Sequence, residues 1–229
     1  MIREMSATLL PHLRCPECRQ TLAESTAHTL TCRCGRAFVI RDGVPRFTKG
    51  DFTKGVTDTA VSFGYMWGEQ AAVVVPPTTP APYHLAVMQE ALETPPFQGL
   101  ILDAGCGEGI DLAMVALDPR CEVIGVELSD GGVETSLART RGLGRAHVVQ
   151  GDLLRIPLAE GTFDGAYSYG VVHHTPDPPR AVREIARTLK PGAPLLLYVY
   201  EDFSDRSIGW RVALAVANSA RLILSLIHI

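Results

Sequence analysis

The chain has 229 residues, 46% hydrophobic and 20% charged, with a net charge of −4, a balance that excludes disordered and fibrous classes and fits a folded globular protein. That length supports one sizeable core plus a small satellite module. Charge is uneven: residues 1–50 carry a net +4 and residues 51–229 a net −8, so the larger part is poorly suited to gripping a phosphate backbone by itself, whereas the small basic part is suited to it.

The N-terminus MIREMSATLLPHLRCPECRQ has no sustained apolar run ahead of a small-residue cleavage site. No signal peptide is expected, and a cytoplasmic location is the default. Four of the six cysteines follow at once, as Cys15-Pro-Glu-Cys18 and then Cys32-Arg-Cys34. Two close pairs a hairpin apart can give a tetrahedral zinc ion four thiolates, the metal replacing a core too small to form alone. Disulfides or buried free thiols are the other readings, but cysteines two apart are strained partners and a reducing compartment disfavours the bond. The second pair is C-x-C where C-x-x-C is commoner, which makes Cys34 the least secure ligand. From Cys15 through Phe38-Val39-Ile40-Arg41-Asp42-Gly43-Val44-Pro45-Arg46-Phe47 the sequence resembles the small zinc-ribbon activators of tRNA and protein methyltransferases. The resemblance implies a ribbon module over residues 1–50 that binds a protein or presents a substrate; a purely structural staple is the alternative.

Periodicity is lost over residues 51–82, expected to be a linker and docking segment. VVVPPTTPAP (73–82) cannot continue a helix or a central strand, and SFGYMWGEQ (62–70) gathers Phe63, Tyr65, Met66 and Trp67 into a docking patch. From residue 83 helix and strand signals alternate. Helices are predicted at 84–92, 109–117, 130–141 and 178–190, and strands at 100–105, 121–128, 146–152, 161–170 and 193–200. This order predicts an α/β, Rossmann-like, doubly wound and mostly parallel sheet, with ligands beyond the carboxyl ends of its strands.

The first of these strands ends in LDAGCGEG (102–109), with Gly105, Gly107 and Gly109 allowing a sharp turn and close approach. The second ends in Glu127, placed to accept hydrogen bonds from two ribose hydroxyls. Both features suit either an NAD enzyme or an S-adenosylmethionine enzyme. A dinucleotide turn reads G-x-G-x-x-G, whereas the third glycine here comes one place early, and Asp103, Glu108 and Asp111 around the turn would repel a pyrophosphate. S-adenosylmethionine has no phosphate and carries an ammonium and a sulfonium. Gly151-Asp152-Leu153 closes the third strand, where a carboxylate can accept the exocyclic amine of adenine and a leucine can cover its face. The stretch from Ser168 to Asp177 follows the fourth strand, facing the methyl group.

Residues 99–200 resemble a class I S-adenosylmethionine-dependent methyltransferase of the ubiquinone/menaquinone and small-molecule group. LDAGCGEG matches its glycine motif, VIGVELS its ribose acid, VVQGDLLRIPLAEGTFD its adenine loop, and SYGVVHHTPDPPRAVREIARTLKPGAPLLLYV its fourth through fifth strands. The resemblance implies a methyltransferase domain over residues 83–229, with cofactor contacts from Asp103, Ala104, Gly105, Cys106, Gly107, Gly109, Glu127, Leu128, Asp152, Leu153 and Tyr169. It implies methyl transfer to a small-molecule, lipid-like or glycan acceptor. An RNA acceptor held by the basic ribbon, and a non-catalytic partner protein that senses the cofactor, are the alternatives.

His173 and His174 are the candidates for proton transfer or acceptor positioning, one facing inward and the other the cleft. Adenine amino-methylation is disfavoured, because Asp177-Pro178-Pro179 comes too late after the fourth strand. Methylation at carbon 5 of cytosine needs a cysteine nucleophile, and none follows Cys121. Class I methyltransferases add two further strands after the fifth. Beyond residue 206 the sequence shows only an amphipathic helical pattern, with Arg211, Asn218, Arg221 and Ser225 on one side, so the last strands are expected to be missing from a truncated chain and no membrane span is expected.

Overall fold

The computed structural model describes residues 4–48, 77–78 and 84–200. The aromatic group at 62–70, most of the proline-rich linker and the helical pattern after 206 lie outside the described residues.

The N-terminal part folds as a 3-10 turn, Leu10–His12, and four short strands: β1 (Leu22–Thr26), β2 (Thr29–Cys32), β3 (Ala37–Arg41) and β4 (Val44–Arg46). The larger part follows as α1 (His84–Ala91), β5 (Gly99–Ala104), α2 (Ile110–Leu117), β6 (Cys121–Glu127), α3 (Asp130–Arg139), β7 (Ala146–Gln150), β8 (Gly165–Tyr169), α4 (Pro178–Thr188) and β9 (Leu195–Tyr198). The mixed α/β expectation holds. The strands lie in the order β1-β2-β3-β4-β7-β6-β5-β8-β9, antiparallel within β1–β4 and parallel from β4 to β9. Strands β5, β6 and β7 read as nearly continuous apolar runs because helices cover both faces of a parallel sheet; Ile101, Leu102, Val123, Val126 and Val149 are fully buried.

The sheet is continuous from the ribbon into the α/β part. Strand β4 pairs with β7 at Arg46 and Gln150, and the Phe47 N–H donates to the Gln150 carbonyl at 2.9 Å. Leu13 bridges Leu158, the Arg14 N–H donates to the Pro157 carbonyl at 2.8 Å, and the Ala159 N–H to that of His12 at 2.9 Å. Leu9, Leu13, Leu30 and Phe38 belong to one apolar cluster with Leu102, Val149, Ile156 and Phe163. The physical reason is mutual. A module this small cannot close its own core, and β7 would otherwise present an unpaired edge.

Helix starts follow their caps. Ser129 accepts the Gly132 N–H ahead of α3. Asp177 accepts the Arg180 N–H with Pro178 in the first turn of α4, which gives Asp-Pro-Pro the job of an N-cap. The fourth α/β strand begins at Gly165 rather than 161: Gly161 has φ +57°, and the Thr162 and Phe163 N–H groups donate to the Thr188 carbonyl, tying this stretch to the end of α4 instead.

Candidate functional site

The turn after β5 needs its glycines. Gly105, Gly107 and Gly109 have φ of +87°, +50° and +76°. A Cβ on Gly105 would lie 2.5 Å from Val171 Cγ1, and one on Gly109 2.9 Å from the Cα of Ser136. Gly105 therefore lets the turn pass against the loop after β8, and Gly109 lets α2 start against α3.

Glu127, 8% exposed at the end of β6, reaches back across this turn. Its Oε2 accepts the Gly107 N–H at 3.1 Å, while Oε1 accepts the Ser129 N–H at 2.8 Å and its hydroxyl at 2.7 Å. The N–H group that a pyrophosphate would seek is held by the protein's own carboxylate. A carboxylate has about four acceptor positions, so capacity remains for a ribose hydroxyl. Asp103 is 4% exposed, and its pKa is pushed well above the usual carboxylate range, first by burial and then by Asp111, with Glu127 adding. A buried acidic cluster of this kind favours a positive ligand.

The expected ring of bare carboxylates is corrected in its membership. Glu108 pairs with Arg139 at 2.7 Å, and Asp111 is bonded by His84 Nδ1 and the Leu85 N–H, each at 2.9 Å. The charge argument therefore passes to Glu127. Burial raises the Asp111 pKa against those two hydrogen bonds.

Other predicted residues fall near the same end of the sheet. Ala104 and Cys106 are buried, the Cys106 thiol lying 3.6 Å from the Ser136 hydroxyl, and the Leu128 carbonyl accepts the Gln150 amide at 3.0 Å. Asp152 Oδ1 accepts the Leu154 N–H at 2.8 Å, capping the 3-10 turn Leu153–Arg155. Leu153 is 6% exposed and belongs to the apolar core cluster that also holds ribbon residues. The Ser168 hydroxyl donates to the Ala104 carbonyl at 2.7 Å, tying β8 to β5.

Tyr169 stacks between two rings: His84, with centroids 3.9 Å apart and 11° between planes, and Tyr198, 4.3 Å and 9°. His173 and His174 share the 3-10 turn Val172–His174, their rings 4.1 Å apart. His174 is exposed and His173 half-buried, with the His173 pKa lowered by burial and then by His174. Sequence reasoning missed His84, because nothing in HLAVMQEAL reveals that the helix opens beside Asp111.

Among the described residues one group of metal-type ligands gathers: Cys15, Cys18, Cys32 and Cys34, all sulfurs within 4.8 Å of one another. All four are free thiols, and the Cys15–Cys34 and Cys18–Cys32 sulfur distances are 3.8 and 3.4 Å. Zinc–sulfur bonds of about 2.3 Å in a tetrahedron put sulfurs roughly 3.8 Å apart, so the donor set fits such an ion. The short C-x-C pair closes because Gly35, with φ +87°, lets its N–H return to the Cys32 carbonyl at 2.9 Å. The backbone hydrogen bond at Arg36 draws the Cys34 thiol down to about 7.

Three of the ribbon's arginines pair with the α/β part. Arg19 holds both Glu184 oxygens, at 2.8 and 2.7 Å, and the Ile156 carbonyl at 3.0 Å. Arg41 and Arg46 pair with Asp130 at 3.2 and 2.8 Å. No helix among the described residues is long and apolar enough to cross a membrane.

Residues 102–197 match the family model described as methyltransferase domain, and residues 6–43 the one described as Trm112p-like protein. The chain is thus similar to a methyltransferase domain over residues 102–197 and to Trm112p-like proteins over residues 6–43. A 37.1 kDa protein of transposon TN4556 from Streptomyces fradiae is 37% identical over 52% of this chain and 35% of its own length. The 24-methylenesterol C-methyltransferase 3 of Arabidopsis thaliana is 35% identical over 43% of this chain and 28% of its own. The chain thus spans about a third of these curated relatives. The crystal structure of the [4+2]-cyclase SpnF superposes with a TM-score of 0.50 at 25% identity, over 62% of this chain and 59% of that one.

Proposed function

We propose that this protein transfers a methyl group from S-adenosylmethionine to a small-molecule acceptor. The observation that carries the reading is the Glu127 carboxylate bonded across the Gly107 N–H, with Asp103 buried beneath the same turn. That arrangement opposes a diphosphate and suits a sulfonium nucleoside. When bound, the cofactor supplies a methyl carbon already activated by positive sulfur. The chain's residues then bind, orient and exclude water.

Glu127 takes a ribose hydroxyl and Asp152 the adenine amine. The backbone from Asp103 to Gly109, with Ala104, Gly105, Cys106 and Gly107, lies along the methionine end. Leu128 flanks the ribose, Leu153 supports the adenine loop from the core, and Tyr169 borders the reacting methyl. His173 and His174 position the acceptor. Residues 1–50 hold zinc through Cys15, Cys18, Cys32 and Cys34, residues 51–82 link, and residues 83–229 form the transferase domain of a cytoplasmic enzyme.

The ribbon acts as a built-in partner. It holds the chain on both sides of Gly151–Arg155, through Phe47 on Gln150 and through Arg14 and His12 on Pro157 and Ala159. Arg19, Arg41 and Arg46 are engaged in this docking, which weakens the case for an RNA acceptor gripped by the ribbon. The likeness to a cyclase supports a second reading, in which the same pocket serves a reaction other than methyl transfer.

Calorimetry with S-adenosylmethionine, S-adenosylhomocysteine and NAD separates these. Micromolar binding of the first two and none of NAD is expected. NAD binding in preference removes the proposal. Tight cofactor binding with no label passed from a methyl-labelled donor to any metabolite pool favours the second reading.

A further inference from the structure

Resting on the four-thiolate zinc reading, we propose that Cys34 is a modification site for anionic disulfides of low molecular weight. Arg33 and Arg36 attract the reagent, and Cys15 then closes a Cys15–Cys34 bond that empties the metal site.

The four cysteines differ in access. Cys15 and Cys32 are buried and Cys18 is half-buried, whereas Cys34 is exposed together with Arg33, Gly35 and Arg36. Their turn is tight: the Cys32 N–H donates to the Arg36 carbonyl at 2.8 Å and the Gly35 N–H to the Cys32 carbonyl at 2.9 Å. It is also uncovered, since a Cβ on Gly35 would meet nothing within 4 Å. Exchange starts with attack of a thiolate on a disulfide sulfur, so access decides which cysteine reacts first, and metal ligation keeps Cys34 in the thiolate form. Cys106 and Cys121 are the contrast. They are only 9% and 4% exposed, and the Cys121 thiol donates to the Phe97 carbonyl at 3.2 Å.

Charge selects the reagent. Arg19, Arg41 and Arg46 are engaged by Glu184 and Asp130. Arg33 and Arg36 stand on the two arms of the Cys34 turn, both exposed, and among the described residues neither has an ion-pair or side-chain hydrogen-bond partner. No acidic residue occurs from Ser25 to Arg41. Two guanidinium groups this close to one sulfur act within a Debye length of about 8 Å at physiological salt. They draw in a disulfide that carries carboxylates and do nothing for a neutral one.

In the first step a Cys34 Sγ electron pair forms a bond to one sulfur of the reagent, and the old S–S bond breaks with its electron pair leaving on the other sulfur as a thiolate. Cys15 Sγ, 3.8 Å from Cys34 Sγ, then closes to about 2.05 Å and expels the second thiolate. Two protein thiolates are oxidised to one disulfide, and the reagent is reduced to two thiolates. Cys18 and Cys32 alone are too few ligands for a tetrahedral site. The change reaches the α/β part through the cysteine turn. The Cys15 carbonyl accepts the Arg19 N–H at 2.8 Å, and Arg19 holds Glu184 and the Ile156 carbonyl.

The test uses the full, reduced, zinc-loaded chain with 5,5′-dithiobis(2-nitrobenzoate), a dianionic disulfide whose released thiolate is coloured, and with neutral 4,4′-dipyridyl disulfide. A fast phase releasing about two coloured thiolates per chain and about one zinc, read with a chromogenic chelator, is expected. Peptide mapping then finds a Cys15–Cys34 bond with the Cys106 and Cys121 thiols intact, and the Tm falls by about 5 °C or more. The double variant Arg33→Gln, Arg36→Gln, changed only at exposed positions, is expected to react about 3- to 10-fold more slowly with the dianionic reagent and at the wild-type rate with the neutral one. The same rate for wild type and double variant with the dianionic reagent, equal slowing of both reagents, a bond that leaves out Cys34, or zinc retained after Cys34 has reacted overturns the proposal. Less than half an equivalent of zinc in the reduced chain at the outset is a separate outcome: it overturns the four-thiolate reading and this proposal with it.

Discussion

Arg19→Ala tests whether the ribbon supports the cofactor loop or merely sits beside it. Arg19 follows Cys18 with φ +64° and its N–H donates to the Cys15 carbonyl at 2.8 Å, so its direction is set by the cysteine turn. Its guanidinium then holds Glu184 of α4 through both oxygens and the Ile156 carbonyl just beyond the adenine loop. Charge-assisted hydrogen bonds contribute about 1.5–3 kcal/mol each when well buried. Arg19 is 35% exposed, Glu184 is 14% exposed, and Arg187 remains 3.3 Å from Glu184 after the substitution. Solvent screening and that second partner bring the expected loss to about 1–2 kcal/mol. For a domain of this size that is a fall of roughly 2–8 °C in Tm. If Ile156 and the adenine loop loosen together, S-adenosylhomocysteine binding weakens by about 5- to 10-fold, since 1.4 kcal/mol is tenfold. Differential scanning calorimetry and titration calorimetry on the same preparation read both. A lowered Tm with cofactor affinity unchanged refutes the coupling and leaves the ribbon as a staple.

Gly105→Ala places a methyl 2.5 Å from Val171 at φ +87°, and is expected to abolish cofactor binding in calorimetry while circular dichroism stays native. Glu127→Gln turns an amide toward the Gly107 and Ser129 donors, and a loss of about tenfold or more in S-adenosylmethionine affinity is expected; unchanged affinity speaks against the ribose assignment. Stripping metal from reduced protein with a chelator is expected to remove about one zinc per chain and to lower the Tm, and less than half an equivalent at the outset contradicts the four-thiolate site. For Glu184, burial raises the pKa but the hydrogen bonds of Arg19 and Arg187 win, leaving it below its ordinary 4.5. A carboxyl depressed in the folded state contributes stability that is present above that value and is lost as pH falls through the lowered one. Glu184→Gln should flatten stability in that acidic window, as followed by denaturant unfolding.

Much of the α/β part was legible because its signals are local and periodic. Apolar runs such as LILDA and VIGV, stops such as Lys190-Pro191-Gly192, and three glycines needing positive φ each state their own geometry. The partners of the charged residues were not legible. Nothing near Glu108 in sequence announces Arg139, and nothing near Asp111 announces His84, because α1, α2 and α3 meet only in the tertiary fold. The joining of β4 to β7 was equally hidden: Val44-Pro45-Arg46 reads as the end of a ribbon, and only the unpaired edge of β7 gives it a parallel partner.

The most direct test of the central claim is a crystal structure of the reduced, zinc-loaded chain grown with S-adenosylhomocysteine and NAD together. The account predicts the thioether nucleoside in the turn, a ribose hydroxyl on Glu127 and its adenine amine at Asp152, with the Glu127 to Gly107 bond kept. A dinucleotide in that place, its diphosphate taking the Gly107 N–H from Glu127, contradicts it.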